Sequence, residues 1–202
     1  MTQQDFLAYV DKYRAGIDEI RQHAHILHDS VNQRYDVIHP YGLHLDMVAD
    51  SVFKYGHLVC QQEADVLPLF YGAFYHDSIE DARMSYNDVK KGAVSLMDEE
   101  QAYMAVEMVY ALTNEKGRTR AERSNDRYYA GIRETPYAPF LKLADRLANI
   151  TYSCSMSNKA NNRMREVYKN ELPHFLEAIN PHSDDPRMML PQVMIDEIYS
   201  LL

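Results

Sequence analysis

The chain has 202 residues, a formal net charge of −9, and 46% hydrophobic and 25% charged residues. The acidic charge argues against a general binder of nucleic acids or anionic membranes, because phosphate groups select basic surfaces. Its 2 cysteines provide no disulfide framework, and no apolar run approaches the roughly 20 residues that a bilayer-spanning helix needs. The first residues show no signal-peptide pattern. We therefore expect a single cytoplasmic domain over residues 1–202.

Apolar residues recur at a spacing of three to four through most of the chain, which is typical of amphipathic helices. Residues 6–31 predict one long helix with a break near the histidine-rich segment 23–28, and a turn is predicted at 39–42. The charged segment 117–127 predicts a mobile loop before a helix that runs toward Ile132. Further helices are predicted at 43–52, 66–74, 102–112, 137–153, 158–179 and 188–202. No segment alternates as a strand would, so the sequence predicts an all-α single domain.

Asp145 is placed unusually within the predicted central helix 137–153. It follows Leu141 by four residues and precedes Ala148 by three, which puts its carboxylate on an apolar helix face. An ionised carboxylate on such a face needs a cation, several hydrogen bonds or a metal ion. Taken alone, a salt bridge or a helix cap is the simpler interpretation.

His44 and the pair His76–Asp77 raise the same question. His44 shares a predicted helix face with Val48, where a lone histidine is usually a satisfied core residue. His76 and Asp77 end an apolar helix and are followed by two more acids, although the helix dipole disfavours negative charge at this end. A solvated helix end is one explanation. A bound cation is the other.

A single metal ion would account for all four of these side chains together. Two imidazoles and two carboxylates form a ligand set that suits manganese, iron or zinc and leaves coordination positions for water and a substrate oxygen. The positive charge would also offset the unfavourable dipole at the end of the apolar helix.

The same residues resemble the H…HD…D signature of the HD-domain phosphohydrolases, with His44, the doublet His76–Asp77 and Asp145 in order. The stretch HDSIEDA is similar to the HD-x-x-ED element of the hydrolase domains in RelA/SpoT-type enzymes and small alarmone hydrolases. KLADRLANI is similar to the KLADR-x-x-N element of that group. The resemblance covers roughly residues 30–180 and implies an HD-type helical bundle with its metal site between central helices.

The resemblance also implies residue roles. His44, His76, Asp77 and Asp145 would bind the metal, which in this family is manganese. Glu80 and Asp81 match the acidic pair that orients or deprotonates the attacking water, with Glu80 as the first choice of base. The residues matched to substrate binding are Arg34, Lys142, Asn149 and Tyr152. Further basic candidates for phosphate recognition are Arg118, Arg120, Arg123 and Arg146.

Members of this family remove the 3′-pyrophosphate from guanosine tetraphosphate or pentaphosphate, so the resemblance implies that activity on these or a related nucleotide. The expected partner is a small-molecule nucleotide rather than a nucleic acid or a membrane, and a homo-oligomer is left open. Two alternatives remain. One is an HD-type nucleotidase or phosphodiesterase acting on other nucleotides, and the other is a non-catalytic HD module that binds a nucleotide.

The chain departs from the family pattern before the first ligand. Arg34 is followed by Tyr35 rather than by a second basic residue, and His39, which precedes a proline, is an alternative to His44 as the first ligand. These departures concern the base-and-ribose pocket more than the metal site. Tyrosines at 35, 41 and 152 have two interpretations, stacking on a nucleobase or packing in the core. The three histidines at 23, 25 and 28 are predicted to form a surface cluster rather than a second metal site.

Overall fold

The computed structural model describes residues 1–155 and 159–202, and within these residues the chain is helical with no strand. The all-α prediction is therefore confirmed. The first helices are α1 (Gln3–Lys12), α2 (Arg14–Ser30), α3 (Gly42–Tyr55), α4 (Val66–Tyr75), α5 (Tyr86–Val94) and α6 (Glu99–Leu112). The others are α7 (Arg120–Arg123), α8 (Asp126–Glu134), α9 (Ala138–Ser155), α10 (Lys159–Ile179) and α11 (Gln192–Leu201). Short 3₁₀ turns cover Gly56–Leu58, Glu63–Asp65 and Pro186–Met188.

The predicted helices differ from the observed ones in several places. The first long helix is interrupted at Tyr13 and not in the histidine-rich segment, which lies inside α2. Helix α5 was not predicted, because it buries only Val89 and Ala93 and so gives a weak apolar pattern. The predicted start of α10 at Asn158 lies outside the described residues. The segment 117–127 contains the short helix α7 and the start of α8.

Two helices form the centre of the fold. All ten residues of α4 are buried, and α9 buries most of its length, so both are surrounded by other helices. Helix α3 packs against both of them, and α6 packs against α4. Burial on every side requires a helix that is apolar all round, which is what the sequence of α4 provides.

The side chain of Leu141 on α9 reaches Gly72 of α4. A Cβ atom at Gly72 would lie only 2.7 Å from Cδ1 of Leu141, and so a larger residue would require that side chain to shift. The C-terminal end of α4, with His76 and Asp77, lies near the middle of α9, where Asp145 lies. Among the described residues, no helix combines the length and the apolar character that crossing a bilayer requires.

Candidate metal centre

Three helices place the four predicted ligands at one point. His44 is in the first turn of α3 and is only 1% exposed. His76 is the residue that caps α4, and Asp77 follows it in a turn where the amide of Asp81 donates to the carbonyl of Asp77. Asp145 lies in the middle of α9. Helix packing thus brings together residues that are up to 101 positions apart (145 − 44).

The side-chain atoms of this group converge closely. Nε2 of His44 lies 3.2 Å from Nε2 of His76, 3.3 Å from Oδ1 of Asp145 and 3.5 Å from Oδ2 of Asp77. Nε2 of His76 lies 2.8 Å from Oδ2 of Asp77 and 4.0 Å from Oδ1 of Asp145. We call His44, His76, Asp77 and Asp145 the ligand quartet. His44, His76 and Asp145 offer ligand atoms that all lie within 4.8 Å of one another, a spacing that can hold a metal ion.

The hydrogen bonds around His76 indicate that the quartet needs a cation. Its Nδ1 lies 2.8 Å from the carbonyl of Ala73, which can only accept, so Nδ1 carries the proton. In the neutral ring Nε2 is then an acceptor that faces the carboxylate of Asp77 and the Nε2 of His44. Acceptors facing one another in a buried site repel, unless a proton or a metal ion lies between them. The donor set therefore fits a divalent metal ion, with neutral imidazoles and ionised carboxylates as its ligands.

The charges of the quartet raise the pKa of its histidine His44 and lower the pKa of its carboxylate Asp77. Burial lowers the pKa of His44, but the carboxylates of Asp145 and Asp77 outweigh it and raise that pKa to about 9. Burial would raise the pKa of Asp77, but His76 and His44 hold it well below its usual range. The carboxylates are thus ionised at neutral pH and attract positive charge into the site.

Asp145 is held by its neighbours on α9. Its Oδ2 accepts from Nζ of Lys142 at 2.8 Å, and its Oδ1 accepts from Nδ2 of Asn149 at 2.6 Å. Burial raises the pKa of Asp145, but the charge of Lys142 outweighs it and keeps the carboxyl ionised. Lys142 and Asn149, which were matched to substrate binding, thus both contact Asp145 in this structure.

The sequence suggests stacking on a nucleobase or core packing for Tyr41, and the structure shows in addition that its hydroxyl donates to Oδ2 of Asp77 at 2.5 Å. Its ring stacks on His28, with centroids 4.6 Å apart. The sequence contained a signal for this position, because Tyr41 precedes His44 by three residues and so lies on the same side of the start of α3. His28 is fully buried with no hydrogen-bond partner on either ring nitrogen. The predicted surface cluster of histidines is therefore wrong for His28.

The acidic pair lies beside the quartet. Asp81 is half-buried, and burial together with the charge of Asp77 raises its pKa. Glu80 is exposed, and both of its carboxylate oxygens accept from Nδ2 of Asn114, at 2.9 and 2.8 Å. Asn114 lines a cavity of about 190 Å³ that also contains Lys142, Asp145 and Asn149. Its role was not predicted, because it comes from a loop 34 residues further along the chain.

The segment 31–41 forms a second wall of the site, which we call the loop wall. The ring of Tyr35 stacks on His44 with centroids 5.0 Å apart, and its hydroxyl donates to Oδ1 of Asn149 at 2.9 Å. Asp36 accepts a short hydrogen bond from the hydroxyl of Tyr152 and lies 3.0 Å from Nδ1 of His39. His39 is thus paired within the loop, and His44 lies in the quartet.

Arg34 belongs to the loop wall as well. Its Nη2 donates to the carbonyl of Ile38 at 2.9 Å, and its side chain is otherwise exposed. The structure therefore brings the quartet, the acidic pair, Lys142 and Asn149 together. Arg34 lies in the loop wall and Tyr152 packs against it, and the polar side-chain atoms of both bond to residues of the loop.

Comparison with known proteins supports the same fold. No protein-family model matches the chain, and no curated protein matches it significantly in sequence. Among solved structures, it is similar to one described as a metazoan ortholog of SpoT that hydrolyses ppGpp and plays a role in starvation responses. The two are 20% identical, with a TM-score of 0.63, over 93% of this chain and 97% of the other. At this identity the likeness establishes an HD-type helical fold, as the sequence predicted.

Proposed function

We propose that this chain is a metal-dependent phosphohydrolase of the HD type that removes the 3′-pyrophosphate from guanosine tetraphosphate or pentaphosphate. The observation that carries the proposal is the convergence of His44, His76, Asp77 and Asp145 on one buried point. The likeness in fold to a ppGpp hydrolase over nearly the whole chain supports it. The proposed cofactor is Mn²⁺, and the proposed location is the cytoplasm.

The ligand quartet would hold the metal through the two Nε2 atoms and one oxygen of each carboxylate. A divalent ion held there would lower the pKa of a bound water molecule and would polarise a phosphoryl oxygen. Tyr41 fixes the Asp77 carboxylate by donating to its Oδ2, and Lys142 fixes Asp145 in the same way. Such outer partners orient the ligands and keep them ionised.

Glu80 and Asp81 are the proposed water-handling residues. Asp81 lies close to Asp77, whose charge, together with burial, raises the pKa of the Asp81 carboxyl. Asn114 holds Glu80 through both carboxylate oxygens beside the cavity that Asp145 also lines. We propose that Glu80 accepts the proton of the attacking water and that Asp81 orients it.

The direct test is an assay of guanosine tetraphosphate with the manganese-loaded protein, in which pyrophosphate and guanosine diphosphate are measured. Wild type releases pyrophosphate. Glu80→Gln lowers the rate by about 10²- to 10⁴-fold while metal content is retained, because a general base contributes that much. Glu99→Gln, in the exposed first turn of α6, is the matched control and leaves the rate unchanged. Intact substrate after incubation with wild type would exclude the alarmone activity.

A second candidate is an HD-type nucleotidase or phosphodiesterase acting on another nucleotide. The loop wall favours it, since Tyr35 already bonds to Asn149 and Tyr152 already bonds to Asp36, two contacts that would otherwise be available to a ribose. This candidate predicts release of phosphate from ordinary nucleotides and only a mild effect of Glu80→Gln. A substrate panel assayed with and without Mn²⁺ separates the two.

A further inference from the structure

Two cavities join beside the metal centre. The inner cavity, of about 190 Å³, contains Asp145 of the quartet. The outer cavity, of about 550 Å³, lies between α8 and α10. The two share four lining residues, so they form one continuous groove that leads away from the quartet. The shared residues are Arg120, Ser124, Tyr129 and Arg146.

The inner cavity is cationic. Arg120, Arg123 and Lys142 line it, and Arg146 forms its boundary with the outer cavity. Guanidinium and ammonium groups close to a metal centre suit the charged phosphate groups of a substrate. One oxygen of Glu171 bonds both to Nη2 of Arg120 at 2.9 Å and to Nη1 of Arg146 at 3.3 Å, which holds the two guanidinium groups at this boundary.

The outer cavity has a different character. Tyr129 from α8 and His174 from α10 both line it and contact each other edge to face, with ring centroids 6.4 Å apart, and Phe175 also lines it. Ser124 adds a hydroxyl group, whereas the amide of Asn125 is engaged at the start of α8, where it donates to the carbonyl of Glu122 and accepts from the amide of Tyr128. Aromatic surfaces beside a few hydrogen-bonding groups bind planar heteroaromatic rings, because a base stacks on the ring and its edge is read by the polar atoms.

The loop wall is closed by its own contacts with α9. The amide of Asn149 donates to Asp145 and accepts from Tyr35, so its hydrogen-bonding groups are engaged. Tyr152 bonds to Asp36. A ring that entered from the loop wall would have to break these bonds and displace Tyr35 from His44. A ring in the outer cavity needs neither change.

We infer that the outer cavity between α8 and α10 binds the nucleobase of a phosphorylated nucleoside while the inner cavity holds its phosphate groups. The inference rests on the proposed function, since it places the reacting phosphate at the quartet. It assigns base recognition to Tyr129 and His174 and not to the loop wall. Specificity for the base is then set by Ser124.

Calorimetric titration of the manganese-loaded protein with guanosine diphosphate, and separately with inorganic pyrophosphate, tests the inference. Tyr129→Ala weakens binding of guanosine diphosphate by about 5- to 100-fold, as the loss of one base–aromatic stack does. His174→Ala weakens it in the same direction, and His174→Phe, which keeps a ring, restores it. Binding of pyrophosphate changes by less than about twofold in each variant, because no phosphate contact is removed.

Tyr103→Ala is the matched control, because Tyr103 is an exposed tyrosine on α6 that lines neither cavity. It leaves both titrations unchanged. His174 is exposed, so its variants keep the core even where Tyr129→Ala proves unstable. The inference is overturned when Tyr152→Ala weakens guanosine diphosphate binding and the Tyr129 and His174 variants do not, or when wild type binds no guanosine diphosphate.

Failure of the inference and failure of the proposed function give different results. If guanosine tetraphosphate is hydrolysed but binding of guanosine diphosphate is insensitive to Tyr129 and His174, the groove assignment is wrong and the function stands. If guanosine tetraphosphate stays intact but the two variants still weaken nucleotide binding, the groove assignment stands and the alarmone activity is wrong.

Discussion

The ligand quartet and the loop wall enclose the same centre but are built in different ways. The quartet side chains come from helices or a helix end, are largely buried, and contact one another through charges. The loop wall has no helix and is held by bonds of its own side chains to α9, while Val37 and Ile38 at its tip are 95% and 64% exposed. The geometry of the quartet is thus fixed by the core, whereas the loop wall depends on a few side-chain bonds.

The largest effect is expected when the quartet is broken. Asp145→Asn removes an anionic ligand and lowers Mn²⁺ affinity by more than the roughly 100-fold that loss of an outer partner costs. Isothermal titration with Mn²⁺ measures it. Asp46→Asn is the control, since Asp46 is a partly buried aspartate paired with Arg21 and His25 away from the quartet, and it keeps its affinity. Equal Mn²⁺ affinity in both variants would contradict the assignment of the quartet.

Lys142→Met tests how the quartet is held without metal. The lysine and Asp145 are 16% and 13% exposed, so removal of the lysine leaves a mostly buried carboxylate without its partner. We expect the metal-free protein to lose about 3 kcal/mol of unfolding free energy, and saturating Mn²⁺ to restore most of it. Urea unfolding with and without Mn²⁺ measures both. Lys91→Met, on the exposed face of α5, is the control.

The same loss of stability with and without Mn²⁺ would mean that Lys142 stabilises the fold through its packing, and not by neutralising Asp145.

His28 stacks on Tyr41, which belongs to the loop wall and bonds to the quartet. Because its imidazole is buried, we predict that the stability of the protein depends on pH. Burial lowers the pKa of His28 to about 4, below its ordinary value of 6.5. The unfolded chain therefore binds a proton that the folded chain does not, and stability is lost as pH falls from about 6.5 to about 4, by at most about 3 kcal/mol. His28→Phe keeps the stack and removes this part of the loss, as unfolding measured at pH 7 and pH 5 shows.

His23→Phe, at an exposed position of α2, leaves the pH dependence as in wild type. If His28→Phe does the same, the buried imidazole does not titrate in the unfolding reaction.

The smallest effect is expected in the loop wall. Tyr152→Phe removes the hydroxyl that donates to Asp36 and costs about 1 kcal/mol, the usual net value of one hydrogen bond. The loop then opens more often, so the amide of Tyr35, which donates to the carbonyl of His39, exchanges faster with solvent. Hydrogen exchange measures the faster exchange of the Tyr35 amide. The amides of α4 are the control and exchange as in wild type. Unchanged exchange at Tyr35 would mean that the loop is held by other contacts.

Residue patterns predicted most of the helices and suggested a shared site, because helical spacing put His44 and Asp145 on apolar faces where an unpaired charge is costly. The patterns failed where the apolar signal was weak, as in α5, and where a helix breaks without a proline or glycine, as at Tyr13. The patterns also could not predict the hydrogen bonds of Glu80 with Asn114 or of Tyr35 with Asn149, because bonds between loops and distant elements produce no periodic pattern in the sequence.

The sequence by itself determined that the chain is helical. It also placed four ionisable side chains at core-facing or helix-ending positions, where an unpaired charge is unfavourable: His44, His76, Asp77 and Asp145. Glu80 and Asp81 follow this helix end by one turn. Only the tertiary structure decided that the four side chains meet, that Tyr41 and Lys142 support them, and that His39 lies outside the quartet. The physical reason is that periodicity is a local property of a helix. The position of one helix relative to another depends on packing across the whole core, such as the contact of Gly72 with Leu141.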